Sequence, residues 1–163
     1  MKSILFLTYT VICIYTDLRY RKVFNIAVLF MLALSPAFNI AIYGTPGLLV
    51  YFQGLFIGLI LLIFPYLLGI VGAGDVKFLA GAGCLIGWEI TLLGTLYGAV
   101  LGGIFAFIRL IYTKRFKYFI ITVKSLALRS ATVKDTSSMD NRDNLPYVVF
   151  LGIGLILAYF LRF

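Results

Sequence analysis

Few side chains in this sequence could carry chemistry. Its 163 residues include six acidic side chains and no histidine, which excludes a serine–histidine triad, a histidine metal site and a haem with a histidine ligand. The two cysteines, Cys13 and Cys84, sit far apart in apolar runs. No CxxC zinc or redox site exists, and both read as small buried hydrophobes. Among the acids, Asp135, Asp140 and Asp143 fall in a polar stretch where carboxylates are ordinary, and Glu89 stands beside Trp88 at a turn. Asp17 and Asp75 remain. Each lies at one end of an apolar segment, where an ionisable group is costly and serves a pathway, a partner or a reaction.

Two facing carboxylates are suited to activating water. A few ångströms apart they cannot both ionise, so the pair shares one proton over a wide pH range. The charged member takes a proton from water as it attacks an amide carbonyl. The neutral member polarises that carbonyl, and the leaving amine is then protonated. Neither histidine nor metal is required.

Such a pair must be positioned by elements built for a membrane. The chain is 63% hydrophobic and 12% charged, with a mean hydropathy of +1.08, whereas soluble chains carry about a quarter charged residues. The expectation is an all-α, polytopic membrane protein of six transmembrane helices. The apolar segments are Ser3–Thr16, Phe24–Tyr43, Leu48–Val71, Val76–Gly87, Thr91–Tyr112 and Leu145–Leu161. Segments one and four fall short of the roughly 20 residues that cross the hydrocarbon core. Segment four also carries Gly81, Gly83 and Gly87, which favours close packing against neighbours over lipid exposure. No small-x-small cleavage site precedes Asp17, so the first segment reads as a retained helix rather than a signal peptide. There is no internal repeat to support an inverted-repeat transporter.

Charge sets the expected orientation. With the loop after segment one cytoplasmic, that side holds Arg19, Arg21, Lys22, Lys77, Lys114, Arg115, Lys117, Lys124, Arg129, Lys134 and Arg142; the other holds Lys2 and Arg162. Both termini would then lie outside, and the net charge of +8 reads as topogenic rather than as a nucleic-acid surface. The cytoplasmic basic loop, 113–144, opens with Phe116, Phe119, Ile120, Val123 and Ala127 at helical spacing. That pattern predicts a basic amphipathic interfacial helix drawn to anionic lipids. A purely topogenic loop explains the same charges.

The chain between Asp17 and Asp75 runs out through segment two and back through segment three, so topology lets the two acids meet. It equally allows Asp17 to pair with Arg19 or Arg21, and Asp75 with Lys77. The run Gly72-Ala73-Gly74-Asp75-Val76-Lys77 favours the meeting. Its glycines permit unusual backbone and close approach, and irregular backbone at membrane depth must face protein or a wet cavity.

Asp17-Leu-Arg-Tyr-Arg-Lys-Val-Phe-Asn25, a helix, and then the Gly-Ala-Gly-Asp run together resemble the type IV prepilin peptidase family of GxGD-type intramembrane aspartic proteases. Asn144-Leu145-Pro146-Tyr147 resembles that family's entry into the last helix, which extends the likeness over nearly the whole chain. The resemblance implies that Asp17 and Asp75 are the catalytic pair, with Gly72 and Gly74 shaping the loop of the second acid. Lys77 would contact an acidic group of the substrate or tune Asp75, unless it is a snorkelling topogenic lysine. Asn25 opens the second span, where it could cap the helix, and Pro146 enters the last one.

The family's usual proline before that asparagine is Phe24 here, which loosens the turn. The paired CxxC region of bifunctional members is missing. That speaks against N-methyltransferase activity and against a zinc site, and the minimal, peptidase-only members are the better likeness. No cofactor is implied. The implied partner is a prepilin-like precursor with a basic leader and a hydrophobic helix, cut at the cytoplasmic border of a bacterial or archaeal cytoplasmic membrane. A single membrane-embedded peptidase domain over 1–163 is expected. Two other readings compete: a small proton-coupled transporter using the same acids, and a non-catalytic assembly or lipid-binding subunit built around the basic loop.

Overall fold

The computed structural model describes residues 2–69, 71–112 and 147–162, and every regular element among them is a helix. In chain order these are α1 (Lys2–Tyr20), α2 (Asn25–Tyr43), α3 (Gly47–Leu67), α4 (Ala73–Ile86), α5 (Trp88–Tyr112) and α6 (Tyr147–Leu161). The all-α expectation stands. Three of the six, α2, α3 and α5, are long and apolar enough to cross a membrane. The other three fall short for different reasons: α1 carries charge at its end, while α4 and α6 have 14 and 15 residues. The interfacial helix expected within 113–144 lies outside the described residues.

The chain divides into two compact units, Met1–Gly102 with Pro146–Phe163, and Gly103–Leu145. The described part of the second is the end of α5. The first unit is organised around α4, which packs against α1, α2, α3 and α6. From Phe78 to Ile86 every residue of α4 is buried. So short a helix can be apolar on all sides because protein rather than lipid surrounds it. Segment four's glycines have the role expected of them. A Cβ on Gly83 would strike the backbone of Gly54 in α3, and one on Gly58 would lie 2.7 Å from the Leu79 carbonyl oxygen. Gly81 makes room for the Tyr9 hydroxyl of α1.

Gly54 and Gly58 form a small-xxx-small pair, the spacing that lets helix backbones approach where lipid offers no hydrophobic drive. The same device recurs between α5 and α6. Gly94 and Gly98 face Leu155 and Leu151, with a Cβ at either approaching the opposite Cα to within 2.7 and 2.8 Å; Gly102 faces the Tyr147 ring. Gly87, the single residue between α4 and α5, has φ +89°, which glycine alone adopts without strain.

Two sets of contacts mark the end of this unit opposite Asp17 and Asp75. Lys2 donates to the side-chain oxygen of Asn39 at 3.1 Å and sits 4.8 Å over the Tyr43 ring. Asn39, fully buried, donates onward to the Cys84 and Ser35 carbonyls at 2.9 and 3.0 Å. Glu89 and Arg162 form an ion pair between the start of α5 and the end of α6.

Candidate active site

Both acids lie inside helices rather than beyond them. α1 continues past Thr16 to Tyr20 and stops where Arg21 turns to φ +51°, and the Arg21 N–H donates back to the Asp17 carbonyl at 2.8 Å. The left-handed residue ends the helix by satisfying a terminal carbonyl. It also places Asp17 one turn from that end. α4 starts at Ala73, so Asp75 is in its first turn instead of the α3–α4 junction.

Two neighbouring sequences fix the Asp75 side chain. Its Oδ2 accepts the Gly72 N–H at 2.8 Å, the reach-back half of a capping box, where a carboxylate complements the positive end of the helix. The Val148 N–H, at the start of α6, also donates to the carboxyl. Asp75 is nonetheless 8% exposed. It lies outside the apolar run Val76–Gly87, and its pKa is pushed up to about 6: burial is the largest cause, the two N–H donors oppose it, and the negative charge of Asp17 adds to it. The charge of Asp17 is thus felt at Asp75.

Asp17, beyond the apolar run Ser3–Thr16 and half-buried, is also raised by burial, while the Arg21 guanidinium pulls the other way. Topology left open whether Asp17 meets Asp75 or pairs with arginine; Arg21 acts on Asp17, and the charge of Asp17 is felt at Asp75. Its Oδ2 is the single buried side-chain oxygen or nitrogen among the described residues that has no hydrogen-bond partner. Buried polar atoms are almost always paired, and an exception calls for an explanation in chemistry or a bound molecule.

The other expected site residues distribute unevenly. Lys77 does not pair with Asp75. Its ammonium donates to the Asn25 side-chain oxygen at 3.0 Å, joining α4 to the start of α2. Asn25 is not the cap: Phe24 holds that position with φ −71° and ψ 127°, and no side chain caps the helix. Phe24 thus adopts the φ that a proline ring would impose. The unusual backbone expected of these glycines also needs correction, since Gly72 has ordinary extended backbone, φ −80° and ψ 155°. What the glycines supply is room. A Cβ on Gly72 would press Asp75 Oδ2 at 3.3 Å, and one on Gly74 would touch Val23 at 3.4 Å. Pro146 lies outside the described residues. Val148 was not foreseen, and no sequence signal marks it, because the donor is a backbone amide that any residue but proline provides.

One family model matches the chain, that of the type IV leader peptidase family, over residues 4–107. This chain belongs to that family. It is a membrane protein of a peptidase family whose substrates are prepilin-like. The match takes in Asp17, Asn25, Gly72, Gly74, Asp75 and Lys77 and ends within α5. The likeness drawn at Asn144–Tyr147 falls beyond it, so the shown membership covers the first two-thirds of the chain rather than nearly all of it. No curated protein and no solved structure matches this leader peptidase family member.

Proposed function

We propose that this chain is an aspartic endopeptidase that removes the leader peptide of prepilin-like precursors, with Asp17 and Asp75 as its catalytic pair. The observation carrying this is the contrast between the two acids. Asp75 is buried, doubly hydrogen-bonded and pushed up to about 6, whereas Asp17 sits beside Arg21 with one carboxylate oxygen unpartnered. Environments that separate two acids in this way set their roles.

Asp17 is the ionised member. Its free oxygen accepts a proton from the attacking water while the water oxygen bonds to the scissile carbonyl carbon. Asp75 is the protonated member and gives its proton to the carbonyl oxygen, forming a neutral gem-diol. The proton held on Asp17 then passes to the amide nitrogen, and a gem-diol hydroxyl returns its proton to Asp75. The carbon–nitrogen bond breaks, and both acids regain their starting states.

The acids work at the cytoplasmic border, the side to which the lysine and arginine distribution assigns this end of the bundle, with six helices in the membrane and both termini outside. Glycines at 72 and 74 keep the approach to Asp75 open. Lys77 and Asn25 brace the mouth of the site, and the chain has no CxxC region that would support methylation.

Cleavage of a prepilin-like substrate in liposomes, comparing wild type with Asp17→Asn and Asp75→Asn, tests this reading. Each variant should lose at least about a hundred-fold in rate, as removal of a general acid or base does. Cleavage persisting in either folded variant overturns the pair.

A further inference from the structure

Tyr9, Cys13 and Asp17 stand four residues apart on α1, a spacing that sets side chains in one row along a helix. Tyr9 and Cys13 are buried, and Asp17 ends the row two turns, about 12 Å, from Tyr9. On α4 a second row holds Asp75, Phe78 and Gly81, three residues apart. The rows meet at both ends and so run in opposite directions. At one end the charge of Asp17 is felt at Asp75. At the other, the Tyr9 ring stacks on Phe78 with centroids 5.7 Å apart, and its hydroxyl donates to the Phe78 carbonyl at 3.2 Å.

The ring stack alone would need only phenylalanine. A buried hydroxyl is costly unless it is bonded, and this one bonds to backbone, so it marks a fixed height on α4. Small residues let helix backbones approach closely, but Gly81 and Ala82 present no large side chain to stop α1 sliding. The Tyr9 hydroxyl occupies the space that a Cβ on Gly81 would take, and this seat, with the directional bond, locks the position along the axis. The polar links from Lys2 to Asn39 and from Ser3 to Tyr159 tie α1 to α2 and α6 instead. A slip of one residue is about 1.5 Å, and a misplacement of about 1 Å is enough to cost a hundred-fold in rate.

We infer that Tyr9 is a positioning residue for the acid pair: its hydroxyl sets the register of α1 against α4 and, through it, the spacing of Asp17 and Asp75. The inference rests on the reading of those acids as the catalytic pair. Two other groups bear on them, Arg21 on Asp17 and, from α6, Tyr147, which feels the charge of Asp75. Neither belongs to the Tyr9 contact.

The test uses the full-length protein in phosphatidylcholine liposomes with a prepilin-like substrate. Tyr9→Phe keeps the ring and removes the hydroxyl, and kcat should fall by about ten- to a hundred-fold at unchanged KM. Infrared titration of the protonated Asp75 carboxyl, assigned by its loss in Asp75→Asn, supplies a second readout that needs no substrate. Its midpoint, about 6 in the wild type, should fall in Tyr9→Phe, because the charge of Asp17 then weighs less on Asp75. Gly81→Ala, which intrudes on the hydroxyl without removing it, should move both readouts the same way. Tyr159→Phe removes another buried hydroxyl, the one paired with Ser3, and should lower the unfolding temperature while leaving kcat and midpoint alone. An unchanged kcat or midpoint in Tyr9→Phe overturns the proposal, as does an equal change in Tyr159→Phe. A wild type that cleaves no such substrate overturns the proposed function instead, and the carboxyl midpoint still decides the register.

Discussion

The Lys77 ammonium rests 3.0 Å from the side-chain oxygen of Asn25, fifty-two residues earlier in the chain. The contact closes the loop between the helix that follows Asp17 and the helix that carries Asp75 in its first turn. A lysine two residues past a carboxylate would be expected to neutralise it. Here the lysine is turned to a neutral amide, and Asp75 keeps a raised pKa with no cation paired to it among the described residues.

That bond is exposed, so its contribution to stability is modest. Lys77→Met and Asn25→Ala should each lower stability in detergent by about 0.5–1 kcal/mol, and the double variant by little more than either single one. Thermal unfolding of the four proteins gives the coupling directly. Fully additive losses would mean the two side chains do not interact.

The acid pair predicts a pH dependence with a definite sign. Asp75 binds its proton more tightly in the folded state, with a pKa of about 6 against 3.8. Its contribution to stability is present below about pH 4 and is lost as pH rises to about 6, because the folded protein holds the extra proton in that window. Denaturant unfolding across this range should show the fall, and Asp75→Asn should flatten it. Cleavage should decline above an apparent pKa near that value, which belongs to the pair rather than to one residue.

At the opposite end, Asn39 is fully buried and satisfies Lys2 and two carbonyls. Asn39→Leu leaves the part-buried ammonium and the Cys84 carbonyl without it and should cost about 1–3 kcal/mol. Lys2→Met in the same chain should restore part of the loss, since replacing both partners by apolar groups removes the unpaired charge. Thermal unfolding of both single variants and the double one measures this.

Packing between α3 and α4 should tolerate nothing larger than glycine at position 54. Gly54→Ala drives its methyl into the Gly83 backbone, and a strain of about 1–3 kcal/mol follows from overpacking. Gly103→Ala meets nothing within 4 Å and should be neutral or stabilising by up to about 1 kcal/mol, as glycine is unfavourable within a helix. Comparing their unfolding midpoints separates steric packing from helix propensity.

The sequence by itself determined the helical class and the membrane character, and it singled out the two acids on which the proposed function rests. Each is written in composition or in a short motif: apolar runs with few charges, and a scarcity of acids that leaves Asp17 and Asp75 alone at segment ends. The close packing of segment four was legible too, because Gly81 and Gly83 have no other purpose in an apolar run so short. Tertiary structure decided what those residues meet. That Lys77 turns to Asn25 and that a backbone N–H of Val148 acts on Asp75 depend on contacts between distant segments, which periodicity does not encode. The cap at Phe24 and the ordinary backbone at Gly72 escaped prediction for a related reason. A residue type limits the conformations open to it, and its neighbours in space choose among them.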